Sequence, residues 1–427
     1  MTKYTVACIV LGMLYERELA LAWRDGAWLG RELTTTEGQR FRVICPGYSG
    51  LSWGPDFRRA AIELRGRKVR GDIEFHVHSR DWVEHGHHRD IAYDRVILHV
   101  AWKDDMPGPT LTSGGVSVPV FAAGSAPHYP QPDRSLFCRG CATAGKPELL
   151  RSILARQGKL WFLDKARRNY EAFEKTQPEE VLYRGILEAL GYSENKAPFY
   201  ELAVRLPFRA LRKDVRGLKR EERLSRIREL YLASSGLMPG AANTEISLIG
   251  SDWRLYGLRP ANHPLRRLTA ASCLIARYLD DGLVKGLVRV IGSLEPGEAY
   301  DYSRLMVGDD ADREYRIQDM GYRGHSRPLG RSRALLIAVN VILPFAYALG
   351  KKEGGSLLRR RALSLSRRCP SSGDNIVIRH FRRLWGLRLK LSAREEQGLM
   401  RMEKAFCSQG RCGRCPVNWR PGRASSE

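Results

Sequence analysis

The chain has 427 residues, 43% of them hydrophobic, and its 71 Lys and Arg against 47 Asp and Glu give a formal net charge of +24. That length allows two or three domains with cores of their own, and the apolar content is that of a soluble globular chain. The surplus of positive charge fits a polyanionic partner, a nucleic acid first and an anionic membrane surface second. An arginine-rich coding bias would leave the same mark.

The opening "MTKYTVACIVLGML" has the look of a short signal-peptide core, but Glu16, Arg17 and Glu18 interrupt it. "LYERELALAWRDGAWL" then reads as an amphipathic helix that starts the fold, and the expected location is cytoplasmic. Strand patterns follow in "FRVICPG", "DFRRAAIELRG", "DIEFHVH" and "DRVILHVAW", with a further one in "GVSVPVFAA". The second and third are joined by "RGRK", a basic hairpin turn. Residues 126–146, with "GSAPHYPQPDRS" and the pair Cys138 and Cys141, read as a linker. From Pro147 to the end the period is helical, as in "PELLRSILARQGKLWFLDKARRNYEAFEK", "HPLRRLTAASCLIARYL" and "SRALLIAVNVILPFAYALG". The expected architecture is α+β, an α/β head over residues 1–125 and a mainly helical domain over residues 147–427. No uninterrupted run of roughly 18 apolar residues is present, so no transmembrane helix is expected.

In the third strand pattern Asp72, Glu74, His76 and His78 alternate, so their side chains share one face. Counting inward from the turn brings Asp56 close to Glu74. Two carboxylates from adjacent strands suit a hard cation such as Mg²⁺ or Mn²⁺, which polarises a phosphoryl group and activates water. The same row also suits the wet face of an antiparallel sheet, with Ile73, Phe75 and Val77 inside. Downstream, His85, His87 and His88 crowd one segment, followed by Asp90, Tyr93 and His99. Such imidazoles suit a transition metal or acid–base work, and His85 or His87 is expected to line the cleft of Glu74.

The stretch from Pro55 to His76 resembles the PD-(D/E)xK nuclease superfamily, whose core runs helix, three strands, helix, strand. The resemblance implies a restriction-endonuclease-like head with Pro55 and Asp56 as the "PD" and with Glu74 and His76 at the "(D/E)xK" positions. Glu16 or Glu18 would be the additional helix acid. Histidine stands where that superfamily has lysine, which puts catalysis itself in question. Over most of its length the chain also resembles a bacterial family known as domain of unknown function 2851. "GPDF", "GDIEFHVHSRDWVEHGHHRDIAYDRVILHV", "LGYSENKAPFYELA" and "WRLYGLRPANHPLRRL" carry that likeness, which implies no activity.

"FCSQGRCGRCPVNW" places Cys407, Cys412 and Cys415 close together, a start on a zinc site or an iron–sulfur cluster that Cys138 or Cys141 would complete, with Cys369 in reserve. Nine cysteines without a secretory context point to thiols or metal ligands rather than a disulfide frame. "GLRPANHPLRRL" offers Arg259, Arg266 and Arg267 to a nucleic acid near a helix start, or is simply a proline-capped helix with a solvated face. The functional expectation is a metal-dependent nuclease acting on nucleic acid, DNA first. The alternative is a catalytically degenerate nucleic-acid-binding or scaffold protein with a structural metal.

Overall fold

The computed structural model describes residues 16–24, 26–49, 54–125, 147–192, 194–237, 253–255, 258, 262–294, 329–373, 375–385, 390–407, 411 and 414–417. The fold is a mixed sheet in the N-terminal region followed by a mainly helical body. The chain divides into two compact units, one of Met1–Gln157 with Asp374–Leu389 and Gly398–Glu427, the other of Gly158–Gly373 with Lys390–Gln397.

The first unit opens with helix α1 (Glu16–Arg24) and strands β1 (Glu32–Thr34), β2 (Arg40–Cys45), β3 (Tyr48–Ser49), β4 (Phe57–Leu64) and β5 (Arg67–His78). Helix α2 (Asp81–Glu84), two 3₁₀ turns, His87–Arg89 and Ile91–Tyr93, and strands β6 (Val96–Lys103) and β7 (Val120–Ala122) follow. The sheet order is β1-β2-β4-β5-β6-β7, with β3 also paired to β4. Pairing from β1 to β5 is antiparallel, whereas β5, β6 and β7 run parallel. The antiparallel sheet expected at β5 is therefore half right, since one flank of the strand is parallel. A parallel neighbour demands a crossover, which is why the histidine-rich segment stands where it does.

At the β4–β5 hairpin, Arg65 (φ 50°) and Gly66 (φ 74°) both take the left-handed conformation that a tight two-residue turn needs. From the turn outward, Leu64 pairs with Arg67, and the register holds to Ala60 opposite Gly71. It then slips by one residue, because Phe57 pairs with Ile73. Arg58 and Arg59 together oppose Asp72, a β-bulge, with Arg59 at φ 60°. The slip is visible in the core, where Phe57, Ala60 and Ile62 are all buried at spacings of three and then two. Trp23 of α1, Phe57 and Phe75 form an edge-to-face aromatic series with centroids 5.5 Å apart in each pair. Trp28, Phe41 and Phe121 extend this core.

The second unit is helical, and its core gathers Tyr183, Phe199, Tyr231, Leu268 and Leu283 among others. The helical patterns read from sequence fall on Pro147–Ala172, Pro178–Leu190, Pro264–Tyr278 and Ala393–Ala405. One helical rod, Ser332–Lys352, is long and apolar enough to cross a membrane by length and composition. The search for an uninterrupted apolar run misses it because Asn340 breaks the run while the helix continues. Ile337, Ala338, Ile342, Leu343 and Ala346 of this rod are buried in the helical core. A π turn at Ala338–Ile342 precedes Pro344, whose ring and missing N–H displace the carbonyl of residue 340 from the regular ladder.

Gly71 lets β5 and β6 approach, since a Cβ there would lie 2.3 Å from the Arg95 carbonyl oxygen and 2.4 Å from Ile97 Cγ2. Gly71→Ala should therefore destabilise the first unit by about 1–3 kcal/mol, the usual cost of overpacking. Urea unfolding followed through the buried Trp23, Trp28 and Trp82 measures it, and an unshifted midpoint would contradict this packing.

Candidate functional site

The bulge decides which acids meet. With the regular register of the hairpin, Asp56 would face Phe75, whose side chain points into the core. The one-residue slip sets it against Glu74 on the opposite face of the sheet. The pair is then locked reciprocally: the Asp56 N–H donates to Glu74 Oε2 (2.9 Å), and the Phe75 N–H donates to Asp56 Oδ2 (3.1 Å). The bulge is held by the Arg59 N–H, which donates to Asp72 Oδ1 at 3.0 Å, and by an ion pair between the Arg59 guanidinium and Glu403. One oxygen of each carboxylate, Asp56 Oδ1 and Glu74 Oε1, is free of these backbone bonds, and Glu74 Oε1 lies towards His87 and His76.

The imidazoles come from three places. His76 lies on β5 beside Glu74, and its Nδ1 meets His99 Nε2 of β6 at 2.8 Å. The crossover from β5 to β6 brings back His85, whose Nδ1 lies 3.2 Å from His76 Nε2, and His87, whose Nε2 lies 3.4 Å from Glu74 Oε1. The segment that the histidines crowd is built of α2 and the two 3₁₀ turns. Asp90 caps the second of these by accepting from the Ala92 N–H at 2.8 Å. Trp82, Tyr93, Val96 and Val118 form a small apolar cluster under the crossover. Tyr93 stacks on His87 with centroids 3.7 Å apart, and the Trp82 Nε1–H donates to the Leu111 carbonyl.

Burial governs the charges. It raises both Asp56 and Glu74 above the ordinary carboxylate range, and for Glu74 the neighbouring Asp56 adds to the effect. The Phe75 N–H opposes the rise at Asp56. Glu16 of α1 is raised as well, by burial and then by Asp56, so it belongs to the same carboxylate group. The histidines move the other way. Burial, followed by the neighbouring imidazoles, lowers His76 to about 2, His87 to about 4 and His99 to about 3. At neutral pH the site therefore holds His76, His87 and His99 as neutral imidazoles beside a Glu74 carboxyl that retains its proton.

The remaining candidates are placed as follows. His78 is turned to Asp105, with Nδ1 and Oδ2 2.6 Å apart. Glu18 lies on α1, and nothing is described of its side chain. Cys415 is buried and Cys407 is half-buried, while Cys138, Cys141, Cys412 and Arg259 lie outside the described residues. Cys369 is 1% exposed in the helical core. Arg267 is only 4% exposed, with Nη2 donating to Asn262 Oδ1 at 2.8 Å, so it offers little to a surface ligand; Arg266 is half-buried. Burial, then the charges of Arg333 and Arg266, lowers Arg267 to about 9. Arg59, Glu403, Trp82 and Asp105 were not singled out from sequence. No local signal could link Arg59 to a glutamate more than three hundred residues away.

The histidine and carboxyl shifts oppose one another in the acid range. An imidazole kept neutral by folding adds stability above its unfolded value of 6.5, and that stability is lost as pH falls towards the folded values. Asp56 and Glu74 do the reverse, since their raised values cost stability as pH rises from 3.8 and from 4.5. Stability of the metal-free first unit should thus fall from pH 6.5 to 4.5. Glu74→Gln should steepen the fall by about one proton, roughly 1.4 kcal/mol per pH unit. Urea titrations in EDTA across that range provide the measurement, and a variant slope no steeper than wild type would count against this proton distribution.

The family described as Protein of unknown function (DUF2851) matches residues 16–247, more than half of the chain. The chain belongs to that family. No curated protein and no solved structure matches it.

Proposed function

We propose that this member of the DUF2851 family is a metal-dependent phosphodiesterase of the nuclease kind, with nucleic acid, DNA first, as its substrate. The carrying observation is the reciprocal Asp56–Glu74 pair, two acids brought side by side by the bulge, with one oxygen of each not used in the backbone bonds. Several further features support the reading. Helix α1, antiparallel strands that end in the β4–β5 hairpin, a crossover with a short helix and a parallel strand run in the helix–strands–helix–strand sequence of the PD-(D/E)xK resemblance, with five strands before the crossover where the resemblance implies three. Glu16 adds a third carboxyl. The hairpin tip exposes Arg65, Arg67, Lys68 and Arg70, and the net charge of +24 favours a polyanion.

Asp56 and Glu74 would hold Mg²⁺ or Mn²⁺, which when bound supplies the Lewis acid that polarises a phosphoryl oxygen. The chain's own groups do the rest. Glu74 is kept in place by the Asp56 N–H, and Asp56 by the Phe75 N–H, so neither carboxylate has to reorganise when substrate enters. His76 is neutral and cannot stand in for a lysine's positive charge. It can instead orient a water. His85 is exposed beside it and faces the side from which substrate would arrive. In the same reading Cys407, Cys412 and Cys415, with Cys138 or Cys141, hold a structural zinc ion or an iron–sulfur cluster.

Purified full-length protein should cleave single- or double-stranded DNA only when Mg²⁺ or Mn²⁺ is present. Asp56→Asn and Glu74→Gln should each lower the rate by about 100-fold or more, on the scale of losing a positioned electrostatic group. Salt-sensitive DNA binding without cleavage would favour the binding-protein alternative. Equal cleavage by wild type and both variants would remove these residues from the chemistry. For the cysteine end, Cys415→Ser should lose bound zinc or iron on elemental analysis and lower thermal stability, because the binding energy of a structural metal is folding energy. Unchanged metal content would reject that site.

A further inference from the structure

The imidazoles on the far side of Glu74 are not needed to hold a hard cation, yet they are arranged as a ligand set. We propose that His76, His85 and His87 bind one transition-metal ion of the zinc or iron class, with Glu74 Oε1 beside His76 and His87. Donor nitrogens of the three histidines all lie within 4.8 Å of one another. His76 Nε2 and His85 Nδ1 are 3.2 Å apart, His87 Nε2 and Glu74 Oε1 3.4 Å, and His76 Nε2 and Glu74 Oε1 3.9 Å. Ligands about 2.1 Å from an ion stand about 3.4 Å apart in a tetrahedron and about 3.0 Å apart at adjacent corners of an octahedron. The separations here match that scale with little adjustment.

The supporting atoms fit the same assignment. A ligating imidazole commonly has its second nitrogen fixed by a hydrogen bond, which sets the tautomer and the ring plane. His76 Nδ1 meets His99 Nε2, so with the proton on Nδ1 the lone pair of His76 Nε2 points to His85, His87 and Glu74. His87 is clamped by Tyr93 against one face and by Trp82 edge-on. His76 and His99 are buried, whereas His85 is exposed, leaving an entry side where water or substrate can complete the coordination. Imidazole-rich sets favour zinc, iron, copper and nickel over magnesium, so this site and the Asp56 side of Glu74 differ in the ions they select. It shares Glu74 with the proposed hydrolytic pair but does not depend on what that pair hydrolyses.

The test uses full-length protein freed of metal by EDTA dialysis and titrated with Co²⁺, read by visible absorption and by competition with Zn²⁺. Wild type should show one equivalent of Co²⁺ that the His85→Ala, His87→Ala double variant lacks. His85→Ala alone, a change at an exposed position, should weaken Co²⁺ binding by at least about tenfold, and His99→Gln by about 10–100-fold through the supporting hydrogen bond. Asp56→Asn should retain it. Circular dichroism confirms that each variant is folded. A Co²⁺ signal identical in wild type and the double variant would belong to the cysteines and overturn the assignment, as would folded wild type that binds no Co²⁺. DNA cleavage is absent from this readout. Intact Co²⁺ binding without cleavage rejects the nuclease reading alone, and Mg²⁺-dependent cleavage without imidazole-bound Co²⁺ rejects the ligand set alone.

Discussion

One extra residue in β4 sets the chemistry of the sheet. Because side chains alternate along a strand, the bulge at Arg58 and Arg59 exchanges the faces of everything beyond it. Phe57 turns into the aromatic core and Asp56 turns to Glu74. The bulge places a non-glycine residue, Arg59, in the left-handed region, which costs about 1–2 kcal/mol. That cost is offset by its N–H on Asp72 and its guanidinium on Glu403, an acid that is 1% exposed. The helix carrying Glu403 thus supports the bulge, and through it the carboxylate pair.

The second constraint is the change from antiparallel to parallel pairing at β5. An antiparallel neighbour could have followed through a short turn, but a parallel β6 needs a connection of about a dozen residues or more. That connection lies on the polar face of β5 and is fixed there by Trp82, Tyr93, Val96 and Val118. It returns His85 and His87 to the acids of the preceding strand, while the parallel register sets His99 beside Glu74. A Glu74 carboxyl that keeps its proton and imidazoles that refuse one are thereby packed in one desolvated group. Keeping these groups uncharged costs stability wherever they would ionise in the unfolded chain.

The helical unit contributes features of its own. Lys165 is half-buried on its long helix and donates to Asn340 in the π turn and to Gln397. Burial drives its ammonium well below the ordinary lysine range. Arg333 lies over the Tyr192 ring at 3.8 Å. The core of the unit is otherwise aliphatic and aromatic.

Alternation along the chain was enough to locate the strands at β2, β5 and β6 and to put Glu74 and His76 on one face, because a period of two is a local property. Helical periodicity likewise found the long helices of the body. The family likeness was also legible, since long blocks of residues carry it. The short β1 and β3 have too few residues to show a period. The bulge was invisible for a different reason: "FRRAAIE" alternates poorly in either register, and only pairing against β5 selects one. Nothing local distinguishes a crossover from a solvated histidine loop, and Glu403 is linked to Arg59 only by folding. Sequence by itself therefore determined which residue types are available and which strand face each occupies near the turn. The tertiary structure decided which of them meet, because register slips, strand direction and long-range ion pairs depend on contacts between segments that no periodicity encodes.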